Sequence, residues 1–184
     1  MAARALATVG ALAISTGWLI AGCGGDDKPE GGLPRAPATA RIASTAFDDG
    51  GTIPRRFSCD GEDVSPPLAF PQVPERAREL ALVVEDPDAD NFVHWSLVGM
   101  PPETGLIRED HVPAGATQTK NSFGDKEWGG PCPPEDDEPH RYVFALYALS
   151  RPLELDEDAS PEDVRMAIAD AAIGRGTLTA SYDR

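Results

Sequence analysis

The chain holds only three histidines. Two of them, His94 and His140, sit among residues that could share a chemical task. His94 lies in Phe92-Val-His-Trp-Ser96, shortly after Asp86-Pro-Asp88. His140 closes the stretch Trp128-Gly-Gly-Pro-Cys-Pro-Pro-Glu-Asp-Asp-Glu-Pro-His140 and precedes Arg141 and Tyr142. Two imidazoles with a carboxylate can bind a metal, act as acid and base, or hold a phosphate. Pro87 biases Asp86 towards extended backbone and withholds a ladder donor, so a strand ending there can aim its carboxylates into a pocket. It can equally turn them onto its own loop, and each histidine alone also fits a purely structural role. Gly129 and Gly130 could present backbone N–H groups to an anion, with Pro131, Pro133 and Pro134 holding the loop open. Protonated imidazoles would add charge-assisted donors, and anion affinity would then rise as pH falls.

Other chemistries find less support. There is no Gly-x-Ser-x-Gly, no His-Glu-x-x-His and no phosphate-loop lysine, and nothing near Ser65 or Ser122 marks either as a nucleophile. A binding protein is therefore expected rather than an enzyme, with no cofactor. Two histidines without a third neutral ligand argue against zinc. Cys59 and Cys132 fit a disulfide, a reactive pair beside the pocket, or two packed thiols; sequence leaves all three open.

The elements that must position these residues are mostly strands. Arg41 to Phe47 alternates like a half-buried strand. Leu80 to Val84 is a continuous apolar run, so both of its faces should be covered. Val93 to Met100 is stopped by Pro101-Pro102, Tyr142 to Leu149 is rich in aromatic and β-branched residues, and Thr177 to Tyr182 alternates near the end. One helix is expected. Ser160 is its N-cap, Pro161, Glu162 and Asp163 suit its first turn, and Val164, Ala167, Ile168 and Ala171 form an apolar stripe. Gly174 is the expected terminator. The pattern predicts a mainly β fold, an antiparallel β-sandwich with a short C-terminal helix and no internal repeat.

The beginning of the chain reads differently. Arg4, the mostly apolar Ala5 to Ile20 and the ending Ile20-Ala-Gly-Cys23 predict an export signal over residues 1–22 that resembles a bacterial lipobox, with Cys23 acylated. Residues 23–38 are expected to be a flexible tether and residues 39–184 the folded domain. The protein should then sit outside the cytoplasm, held in the cell envelope by its lipid. A net charge of −15, from 31 acidic and 16 basic residues, argues against nucleic acid.

Taken together, Cys59-Asp-Gly-Glu-Asp-Val-Ser-Pro-Pro67, Asp86-Pro-Asp88, Phe92-Val-His-Trp95, Gly129-Gly-Pro-Cys-Pro-Pro134 and Pro139-His-Arg-Tyr142 resemble the phosphatidylethanolamine-binding protein family. The bacterial, Raf-kinase-inhibitor-like branch is the nearest, and the resemblance runs over roughly residues 40 to 184. It implies a β-sandwich with a small anion pocket that accepts phosphate groups, including phospholipid headgroups. By motif position it implies Asp86, Asp88, His94, Trp128, Gly130, Cys132, Pro133, His140 and Tyr142 as ligand-binding residues. Two departures stand out. Asp90 replaces a proline common in the family, and Trp128 stands where tyrosine is usual, without a phenol to donate. A regulator or inhibitor of an envelope protein is the alternative, and a hydrolase using Asp86 with the two histidines a further one.

Overall fold

The computed structural model describes Met1 and residues 32–184. The expected signal and Cys23 lie outside the described residues. Among the described residues nine strands and one α-helix follow in the order β1 (Arg41–Ser44), β2 (Gly51–Thr52), β3 (Leu68–Gln72), β4 (Glu79–Asp86), β5 (Phe92–Met100), β6 (Leu106–Ile107), β7 (Thr117–Gln118), β8 (His140–Leu149), α1 (Pro161–Ala171) and β9 (Ala172–Tyr182).

The strands form two sheets. The smaller has the order β1-β3-β6 and the larger β2-β9-β8-β4-β5-β7. All pairings are antiparallel except that of β2 with β9, which makes the larger sheet mixed. The long central strands alternate with period two, so each contributes to two apolar layers. Leu80, Leu82 and Val84 of β4 join Phe144 and Leu146 of β8 and Trp95 of β5 in the layer that also holds Ile42 and Phe70 of the smaller sheet. Ala81, Val83, Ala145 and Tyr147 point the other way, to Val164, Ile168 and Ala171 of α1. Every residue of β4 is buried, as a strand covered on both faces must be.

Helix α1 starts as its residues dictate. Ser160 accepts from the Asp163 amide, and the Asp163 carboxylate accepts from the Ser160 amide, a reciprocal cap. Its end differs from expectation. The chain leaves the helix at Ala172 and enters β9 at once, so Gly174 lies inside a strand. A Cβ there would come within 2.3 Å of the Thr39 hydroxyl, so close packing explains this glycine.

The folded unit also begins earlier than Thr39. The Gly32 amide donates to Glu85 Oε1 at 2.6 Å, Leu33 is 1% exposed in the helix-side core, and the Tyr147 hydroxyl donates to the Pro34 carbonyl. Glu85 itself is fully buried and takes two guanidinium hydrogen bonds from Arg165. The buried Leu33 and Pro34 and the buried Glu85 carboxylate thus hold residues 32–38 on the sheet, where composition alone suggests a tether.

Candidate anion-binding cleft

Asp86 and Glu85 are neighbours on β4, so their side chains leave opposite faces of the sheet. Glu85 goes to the helix side; Asp86 goes to a cleft at the end of the sandwich. Asp86 Oδ1 accepts from the amides of Asp88 and Ala89 at 2.9 and 3.1 Å, capping the short turn Pro87–Ala89. Its other oxygen, Oδ2, lies 2.7 Å from His140 Nδ1. Since the carboxylate accepts, Nδ1 carries the proton, and Nε2 is left to face outward. Burial opposes a charge on His140, but the carboxylates of Asp86 and Asp137 outweigh it and raise its pKa above the ordinary histidine value. Asp137 Oδ2 stands 3.5 Å from Nε2.

His94 reaches the same cleft by an irregularity. Pairing of β4 with β5 steps from Val84↔Trp95 to Glu85↔Val93, so His94 is an extra, unpaired residue of a β-bulge. The bulge lets His94 depart from the alternation of β5. Its Nδ1 donates to the Gly129 carbonyl at 2.6 Å, which leaves Nε2 as the open ring nitrogen. His94 is 4% exposed, and burial pushes its pKa below the ordinary value despite nearby carbonyls and Asp86. At neutral pH its Nε2 is therefore an acceptor, whereas a protonated His140 offers a donor. Burial, then Asp86, raises the Tyr142 phenol, which stays protonated.

These polar groups form one end of a cleft of about 220 Å³. Phe92, Phe123, Ala89, Pro133, Pro134 and the Cys132 disulfide complete it. Cys132 is bonded to Cys59, with Cα atoms 5.5 Å apart, so neither is a free thiol. Phe123 stands at the mouth, 51% exposed, with its ring edge-on to Phe92 and His94. Sequence reasoning passed over it. The available signal was the turn Asn121-Ser-Phe-Gly124, where Asn121 Oδ1 accepts the amides of Phe123 and Asp125.

Three residues expected in the site lie elsewhere. Trp128 is buried between Trp95 and Phe144 and donates from Nε1 to the Phe57 carbonyl, so its lack of a phenol is immaterial to the cleft. Asp88 lies outside the lining, where Arg141 binds it through its amide, Nε and Nη2. Gly130 donates its amide to Asp63 Oδ1, and a Cβ there would fall 2.2 Å from that oxygen. Gly129 donates to the His94 carbonyl. Both glycine amides are thus engaged within the protein and form no anion nest. Asp90 takes a left-handed conformation, φ 57°, just after the capped turn.

Residues 43–183 match the profile of the phosphatidylethanolamine-binding protein family, and the chain belongs to that family. It is 42% identical over 150 residues to a UPF0098 protein of Methanothermobacter thermautotrophicus, covering 78% of this chain and 98% of the relative. It is 39% identical to a protein of Mycobacterium tuberculosis named as a candidate lipoprotein, LppC, over 97% of this chain and 95% of that one. The latter match covers 97% of this chain and so takes in most of residues 1–22, where an export signal is expected. Among solved structures it is similar to a candidate phosphatidylethanolamine-binding protein homologue of Chlamydia trachomatis, with TM-score 0.74, 33% identity and coverage of 79% and 98% of the two chains. The Escherichia coli family member YbcL gives TM-score 0.76 and 28% identity, covering 80% and 99%.

Proposed function

We propose that the protein is a lipid-anchored binding protein of the cell envelope whose cleft takes a small phosphate-bearing ligand. One observation carries the reading: two buried imidazoles, each held at Nδ1, by the Gly129 carbonyl and by Asp86, open on one cleft. His140, oriented by Asp86 at Nδ1, offers an Nε2–H donor when protonated, a state that the Asp86 and Asp137 carboxylates favour. His94, fixed by the Gly129 carbonyl, offers a lone pair. A fully ionised anion would satisfy only the first. A ligand carrying both phosphate oxygens and a proton or ammonium group satisfies both, as a phosphomonoester or phosphoethanolamine does. The cleft is below the usual range for drug-sized ligands, roughly 300–1,000 Å³, so a headgroup fits and an acyl chain does not. The lipoprotein-named relative supports anchoring through Cys23. Among the described residues no helix is long and apolar enough to cross a membrane.

The test is an NMR titration of the full chain with inorganic phosphate and with phosphoethanolamine, following the imidazole signals. Saturable shifts of both His94 and His140, abolished by His140→Ala, are the expected result. Unmoved imidazoles with either ligand would overturn the proposal and leave an envelope protein partner as the reading to pursue.

A further inference from the structure

Phe123 is half exposed at the mouth of the cleft, yet its turn is pinned at every residue. The Ser122 amide donates to the Val93 carbonyl, and the Ser122 hydroxyl accepts the Val93 amide. Asn121 is buried; its Oδ1 accepts the amides of Phe123 and Asp125, and its Nδ2 donates to the Glu127 carbonyl. The Gly124 amide donates to the Asn121 carbonyl. Gly129 makes room for the ring, since a Cβ there would fall 2.5 Å from Phe123 Cε2. The carbonyl of the same glycine holds His94 Nδ1. One residue thus sets the place of the imidazole and of the aromatic ring beside it. An exposed apolar ring that is already fixed needs no further ordering when a ligand arrives.

The ring belongs to an apolar patch. Phe92 meets it edge-on, with centroids 4.7 Å apart, and Ala89, Pro133 and Pro134 line the cleft with them. None of these five carries a hydrogen-bonding group in its side chain. The disulfide aside, the other lining side chains are the polar Asp86, His94, His140 and Tyr142. A ligand that fills both parts has a charged head and a short apolar body. On the phosphate reading of the cleft, on which this rests, we infer that Phe123 is the specificity-determining residue and selects phosphomonoesters of a compact apolar alcohol. The P–OH of a singly ionised monoester can itself donate to His94, so no ammonium group is required. A primary ammonium against Phe92 and Phe123 would give up water without gaining a side-chain acceptor from the patch.

The test uses two ligands that differ in one group. Propyl phosphate ends in a methyl where phosphoethanolamine ends in an ammonium. Affinities of the full chain for both, and for inorganic phosphate, are read by NMR titration. Burying a methyl-sized group is worth roughly fourfold in affinity, and the ammonium's lost hydration adds to it, so propyl phosphate should bind at least about fivefold more tightly than phosphoethanolamine. In Phe123→Ala that ratio should fall below about twofold. Leu106→Ala, at a similarly exposed apolar residue on β6, should leave it unchanged. An intermolecular NOE from the propyl methyl to the Phe123 ring is expected in the wild type and needs no variant. Equal or tighter binding of phosphoethanolamine would overturn the inference and leave the phosphate reading standing, with cation–π attraction as the stronger force at the rings. A ratio that survives Phe123→Ala, or a bound propyl group with no NOE to Phe123, would remove this residue from the selection. Failure of all three ligands to bind would overturn the phosphate reading and this inference together.

Discussion

Replacing both Cys59 and Cys132 by alanine should cost the domain much of its stability, and the size of the loss can be worked from the chain. The bridge closes a loop with a sequence separation of 73. Loop-closure entropy for that length corresponds to about 4 kcal/mol at 25 °C. With a urea slope of roughly 2 kcal/mol per molar, the unfolding midpoint should fall by about 2 M. Local contacts make the bridge matter to the cleft as well. The Cys59 amide donates to the Pro131 carbonyl, and Cys132 with Pro133 and Pro134 forms part of the cleft wall. The assay is urea unfolding of the full chain followed by tryptophan fluorescence, oxidised wild type against C59A/C132A. Peptide mapping of the unreduced protein would verify the 59–132 linkage. A midpoint change below about 0.3 M would refute the loop-entropy reasoning, because 73 residues of closure could not then be restraining the unfolded chain.

Other outcomes follow from the same geometry. His140 should titrate above the ordinary histidine value and His94 below it, and Asp86→Asn should lower the His140 pKa, all read by NMR. The signs for stability are opposite. The raised His140 contributes stability that is full below the unfolded value of about 6.5 and is lost as pH rises through its folded pKa. The depressed His94 penalises the fold as pH drops below about 6.5, so chemical unfolding across pH 5 to 8 should show both trends. Glu85→Ala should cost about 3 kcal/mol in thermal or urea unfolding, since it leaves the Arg165 guanidinium only the Asn91 carbonyl and frees the Gly32 amide. Undiminished stability would show that the pair contributes little. Trp128→Ala should cost about 3–5 kcal/mol through the cavity left between Trp95 and Phe144, and wild-type stability in that variant would contradict its place in the core.

The long elements were legible because burial repeats regularly within them. The apolar run Leu80–Val84, the β-branched and aromatic Tyr142–Leu149 and the Ser160 cap each announce an element through local chemistry, and the folded chain extends each by only a few residues. The cleft was partly legible: Asp86, His94, Cys132, Pro133, His140 and Tyr142 do converge. What sequence could not show was direction. A bulge turns His94 to the cleft, and neither residue type nor periodicity marks which residue of a strand will be the extra one. Gly129 and Gly130 looked free to bind an anion because their partners, the His94 carbonyl and Asp63, are distant in the chain. Trp128 borders a proline-rich loop, so its inward turn depends on tertiary packing alone. Leu33 is the one large apolar residue in a stretch rich in glycine and proline, too little to produce a period, yet with the hydrogen bonds of Gly32 and Pro34 it docks the segment.

That docked segment has a mechanical meaning. Among the described residues, load along the chain towards β1 passes first through Gly32, beside Glu85. The contacts there are arranged in series: the Gly32 amide, the Leu33 side chain, the Pro34 carbonyl and then the Pro37 carbonyl on the Arg175 amide. A series is peeled one link at a time, whereas the paired ladder of β4 with β8 must be broken along its length. The arm would thus act as a shock absorber, yielding in small steps while the strands bearing Asp86 and His140 hold their places.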